Sequence, residues 1–123
     1  MHQPIRQSKE CAVSLANIEA AFNDVNTNSI ELTQLLADFD EDSKALDAQN
    51  ILTRASVLIG YMISIRNQLL IYKRQSSLAG NAVAKDYLNE LKVQMDGLKS
   101  ITYTYGAIYS ALNETEKLNQ KLI

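Results

Sequence analysis

A chain of 123 residues that is 46% hydrophobic and 21% charged, with a formal net charge of -2, has the makings of one compact domain; at this size folding buries roughly two thirds of the surface exposed by the unfolded chain. The apolar fraction excludes intrinsic disorder, and the near-neutral charge speaks against a nucleic-acid binder, whose phosphate contacts need a strongly basic balance. Four glycines and one proline are too few for a turn-rich β chain, and one cysteine, Cys11, allows no intrachain disulfide. The N-terminal MHQPIRQSKECAV lacks the apolar core of a signal peptide, so a cytoplasmic protein, or one exported without a visible signal, is expected.

From Cys11 a 4-3 spacing runs through Leu15, Ile18, Phe22, Val25, Ser29, Leu32, Leu36 and Phe39, the seam of an amphipathic helix. With Pro4 suited to a first turn, the spacing predicts a helix over about 5–38, roughly 50 Å long at about 1.5 Å per residue. Asn26, Thr27 and Asn28 are poor helix formers, and Asn28 with Glu31 resembles a capping box, so 26–28 is the place for a kink. The segment Asp38–Lys44 reads as an acidic turn in which Asp42 or Ser43 would cap the next helix.

The second helix is expected over 44–77. Its seam is Ala55, Leu58, Met62, Ile65, Leu69 and Tyr72, flanked by a second stripe of Leu52, Ile59, Ile63 and Leu70, a width that implies neighbours on two sides. Arg66, Asn67 and Gln68 interrupt the run well short of the roughly 20 apolar residues of a membrane span, so membrane contact is not expected. Gly80 and Asn81 tolerate the left-handed conformation and would close this helix. A third helix follows over 82–121, with Leu88, Leu91, Met95, Leu98, Ile101, Tyr105, Ile108, Leu112 and Leu118 as its apolar positions. Within it Ser100–Ser110 alternates like a strand, but the chain offers no second strand to pair with it. Asn113 and Glu116 would suit a restart after a bend.

The expected fold is therefore all-α: an elongated antiparallel three-helix bundle, or a helical hairpin with coiled-coil-like heptad packing, in a single domain over 1–123. The rhythm resembles long helical-hairpin proteins as a class. No acidic residue occurs between Gln49 and Ala84, whereas the first helix and its turn are rich in them, which would favour pairing of helices one and two.

Few residues offer chemistry. His2 is the only histidine, which leaves no histidine triad, two-histidine metal site or Glu-x-x-His pair of a bundle metal centre. Asp38, Asp40 and Asp42 open like a calcium loop, but Ser43 stands where glycine is needed and Gln49 where the bidentate glutamate belongs. Cys11, on the apolar seam beside Lys9 and Glu10, reads as a structural thiol. No cofactor or metal site is expected. Gly60, Gly97 and Gly106 fall inside helices, where each costs about 1 kcal/mol relative to alanine, and close packing of neighbouring helices is the expected reason.

What remains is surface. The leading expectation is a non-enzymatic protein–protein interaction module, such as an adaptor, a secretion or assembly chaperone, or an assembly component, working through an apolar helix face and capable of forming a homodimer or higher oligomer. Leu58 and Met62 represent that face, with Arg66, Lys73 and Arg74 as a basic margin and Tyr103, Tyr105 and Tyr109 as interface anchors on the third helix. The alternative is an inhibitor or immunity-type protein whose acidic 38–47 turn, with Asp40, Glu41 and Asp42, blocks a basic partner.

Overall fold

The computed structural model describes residues 14–122. Pro4, His2, Cys11 and the expected first turns of helix one lie outside the described residues. The fold is all-α, a bundle of three helices: α1 (Leu15–Asp38), α2 (Ala45–Gln75) and α3 (Leu78–Leu122).

Helix α1 starts where Ser14 accepts a hydrogen bond from the Asn17 amide through Oγ at 3.2 Å, the usual way of relieving an unpaired N-terminal donor. The helix runs unbroken through 26–28. Thr27 Oγ1, Asn28 Nδ2 and Ser29 Oγ each donate to the carbonyl four residues earlier, at 3.1, 2.8 and 2.8 Å, so these side chains follow the helix rather than break it. Val25 and Leu32, on either side of this stretch, are both buried, and a break would forfeit that burial. The capping box at Asn28 and Glu31 is absent; Glu31 instead pairs with Arg54 of α2 at 2.8 Å.

The acidic turn is held by its own polar groups. Asp40 Oδ1 accepts from the Asp42 amide at 2.9 Å and from Ser43 Oγ at 3.3 Å, while Ser43 Oγ accepts from the Asp40 amide at 2.9 Å. Ser43 is thus spent within the turn, Asp42 contributes its amide there, and neither caps α2, contrary to expectation. The cap comes from inside the helix and from across the bundle: the Lys44 amide donates to Asp47 Oδ2, and the Ala45 amide to Glu116 Oε2, each at 2.7 Å. Glu116 sits in an unbroken α3, so the expected restart near Asn113 does not occur.

The join between α2 and α3 is only Ser76–Ser77, and α3 begins at Leu78, four residues earlier than expected. Gly80 and Asn81 belong to the first turn of α3 rather than to the close of α2. No described residue has positive φ, so Gly80 is not there for a left-handed conformation. A Cβ on it would stand 2.5 Å from Ser76 Cβ and 3.3 Å from Tyr72 Oη; the helix ends approach so closely that only hydrogen fits. Gly60, Gly97 and Gly106 differ. A Cβ at any of them meets nothing within 4 Å, which corrects the expectation that packing inside the chain explains them.

Ser100–Ser110 is helical. Its alternation would serve only a sheet, whereas helical spacing puts Ile101 and Tyr105 against the core. That core is centred on α2, whose Ile51, Ala55, Leu58, Met62, Ile65 and Leu69 are buried among Ile18, Phe22, Val25 and Leu32 of α1 and Ala84, Leu91, Met95 and Leu98 of α3. Among the described residues no polar or charged side chain is buried. Helices α1 and α3 both lie against α2, yet no Cα of α1 comes within 8 Å of one of α3. Two aromatic pairs bridge that gap, Phe22 stacked on Tyr87 with centroids 5.0 Å apart and Phe39 edge-on to Tyr105 at 5.2 Å.

The glycines give a direct check. Gly80→Ala should destabilise the fold by about 1–3 kcal/mol through overpacking, whereas Gly106→Ala should stabilise it by about 0.5–1 kcal/mol. Urea unfolding followed by circular dichroism measures both.

Candidate interaction surfaces

The residues singled out from the sequence are dispersed by the fold. Leu58 and Met62 are 0% and 1% exposed, covered by the chain's own α1 and α3, so they form core and not a docking face. The seam of this wide stripe finds its neighbours on two sides within one chain, while Ile63 and Leu70 of the flanking row stay 39% and 44% exposed. Lys73 and Arg74 are exposed in the last turn of α2, where cations favourably meet the negative end of the helix dipole. Arg66 is exposed beside Lys92, Asp96 and Lys99 of α3. Tyr103 is 85% exposed, Tyr105 is packed on Phe39, and Tyr109 is half-buried, so the three tyrosines make no single patch. In the acidic turn, Glu41 and Asp42 are exposed while Asp40 holds the turn. Of the expected charge pairing between helices one and two, Arg54–Glu31 is the ion pair present among the described residues. Both partners are partly solvated, which limits its worth to about 1 kcal/mol or less.

One polar contact spans the bundle where sequence reasoning saw nothing. Tyr87 donates its hydroxyl proton to Glu19 Oε2 at 2.9 Å while its ring stacks on Phe22. The hydrogen bond to the Glu19 carboxylate raises the Tyr87 pKa above the ordinary 10.0, because losing the proton would set two anions face to face; partial burial and the nearby Glu90 act in the same direction. Glu19 and Tyr87 are 68 positions apart, and no local pattern joins them.

Between the two aromatic bridges the separation of α1 and α3 leaves a groove of about 370 Å³. Its floor is Leu32, Met62 and Leu98, none more than 6% exposed, with Leu36 and Ile101 partly buried beside them; Asn26, Ser29, Thr33 and Gln94 make its rim polar, and no charged residue lines it. Ile30, 70% exposed on α1, and Val93, 71% exposed on α3, neighbour the lining residues Ser29 and Gln94 in sequence. On the opposite side of the molecule the outer face of α2 presents Ser56, Val57, Gly60, Tyr61, Ile63 and Ser64 to solvent. This convex ridge is also uncharged, since α2 carries no ionisable acid or base from Ala55 to Ile65 apart from Tyr61. Periodicity singled out the seam of α2 but missed the groove, because α1 and α3 meet only in three dimensions.

Among the described residues no three His, Cys, Asp or Glu side chains stand close enough to hold a metal ion, and no helix is long and apolar enough to cross a membrane. The chain matches no family model, no curated protein and no solved structure.

The Tyr87–Glu19 contact predicts a distinct alkaline behaviour. The folded state holds this proton more tightly than the unfolded chain does, so the contribution is complete below about pH 10 and fades as pH rises through the folded pKa. In an ultraviolet titration Tyr87 should ionise above the ordinary tyrosine value, and Glu19→Gln should move it downward. Tyr87→Phe, which keeps the ring stack, should cost no more than about 1 kcal/mol at neutral pH.

Proposed function

We propose that the protein is a non-enzymatic interaction module, an adaptor, chaperone or assembly component that works by docking one protein surface on another. The observation that carries this reading is the uncharged apolar groove left open between α1 and α3 in a bundle whose core is otherwise closed by its own helices. Such a groove suits the face of a helix, because a helix laid there would cover Leu36 and Ile101, the apolar lining residues that the core leaves partly exposed. The helices are read as antiparallel neighbours along the chain. Support comes from Glu31 of α1 meeting Arg54 of α2, and from the start of α2 at Ala45 meeting Glu116 late in α3. The 4-3-4 spacing of buried Leu58, Met62, Ile65 and Leu69 accords with heptad-like packing.

The inhibitor reading draws less support. Asp38, Asp40 and Asp47 of the acidic turn accept hydrogen bonds from Gln34, Asp42 and Lys44, which commits their carboxylates to local structure.

Position-specific cross-linking tests the docking reading. A photoreactive side chain at Thr33, in the groove wall, should capture a discrete protein adduct in native extract, and Val93→Asp should suppress it. The same probe at exposed Glu114 should not. Absence of any adduct from Thr33, or equal labelling from both positions, would overturn the assignment.

A further inference from the structure

We propose that the cleft between α2 and α3 on the side away from α1 is a second docking surface, and that it takes an acidic amphipathic helix of a partner protein. This surface is separate from the α1–α3 groove.

Two hollows mark it. One, of about 640 Å³, lies among Leu70, Ile71, Lys73, Arg74 and Asn81. The other, of about 390 Å³, lies among Arg66, Leu88, Lys92, Asp96 and Lys99. Asn81 and Leu88 stand seven positions apart on α3, and Asn67 of the first hollow adjoins Arg66 of the second, so the two follow one another along a single cleft. No residue of α1 lines either one. The α2–α3 pair therefore carries its third helix on one side and an open cleft on the other.

Five cations line this cleft against one carboxylate, that of Asp96. They stand in two rows. Arg66, Lys73 and Arg74 follow the α2 edge, while Lys92 and Lys99, seven positions apart, follow the α3 edge, with exposed Lys85 one further interval before them. At about 1.5 Å per residue the α3 row sets a cation about every 10 Å over a length of about 21 Å. Leu70, 44% exposed, and partly buried Leu88 add apolar surface to the cleft. Among the described residues none of these six cations takes part in an ion pair, the one present being Arg54–Glu31, so an incoming carboxylate breaks no internal contact to meet them.

Cations on both edges of an apolar cleft are the complement of a helix whose apolar stripe is flanked by carboxylates. Lysines at an interval of seven meet glutamates at the same interval on a helix lying alongside, the relation by which charged edges set partner choice in coiled coils. A nucleic acid fits less well. It carries a phosphate at every nucleotide and would press that charge against exposed Asp86 and Asp96, which interrupt the lysine row. A helix bears carboxylates only where its sequence puts them and can leave a gap opposite these acids.

Fluorescence anisotropy of a labelled helical peptide of about three heptads, with leucine along one face and glutamate at the flanking positions, tests the cleft. The peptide should bind the native chain, and its affinity should fall about tenfold or more between low salt and roughly 0.3 M as screening shortens the reach of the charges. Lys92→Glu with Lys99→Glu should weaken binding by about tenfold or more, and the milder Lys92→Gln with Lys99→Gln by less in the same direction, at unchanged helicity by circular dichroism. Lys117→Glu with Lys121→Glu, an equal change of charge near the far end of α3, should leave binding unaltered. Absence of binding, equal loss from the two charge reversals, or tighter binding of a single-stranded RNA that the Lys92 and Lys99 variants abolish would overturn the acidic-helix cleft. The Thr33 adduct forms in the other groove and should survive these substitutions, so failure here leaves the α1–α3 reading standing.

Discussion

The structure depends on one constraint, the burial of the apolar face of α2 from Ala48 to Leu69. That face is too wide for a single neighbour. Covered by α1 on one flank and α3 on the other, it becomes the centre of the core, and Leu58 and Leu69 lose all contact with solvent. Two helices that each settle against a third need not also meet each other, and α1 and α3 stay apart along their length, joined by Phe22–Tyr87 and Phe39–Tyr105. The groove between them follows from the way the core is filled.

The joins are governed by the same economy of polar groups. A helix end leaves backbone donors without partners, and here they are supplied locally or from across the bundle. Asp47 and Glu116 together receive the first two amides at the start of α2, one carboxylate three residues ahead and the other 71 positions away. At the other end α2 passes into α3 through two residues, a turn tight enough that Gly80 rests on Ser76. These contacts fix where the helices begin, and thereby which residues of α3 face the groove.

With no polar side chain buried among the described residues, the interior holds no group whose protonation or nucleophilicity a dry environment could tune. Exposed apolar side chains stand on all three helices, Ile30 on α1, Val57, Tyr61 and Ile63 on α2 and Val93 on α3. That distribution underlies the proposal of a docking protein.

Much of the architecture was legible in the sequence. Hydrophobic spacing alone determined three helices, the acidic turn, the short second connection and the buried faces, because a 3.6-residue period can bury apolar side chains in only one way. For Ser100–Ser110 the sequence favoured helix, since a lone strand has nothing to pair with, and the fold made the segment helical throughout. Tertiary structure decided the rest. Asn26–Asn28 stayed helical because the core holds both sides of the stretch, and Asp42 and Ser43 lost the cap to Asp47 and Glu116 because a distant helix end came within reach. Leu58 and Met62, a docking face by periodicity, became interior once α1 and α3 closed over them. The groove, the Glu19–Tyr87 contact and the meaning of Gly80 arise from distances between helices, and a single strand of sequence carries periodicity but not those distances.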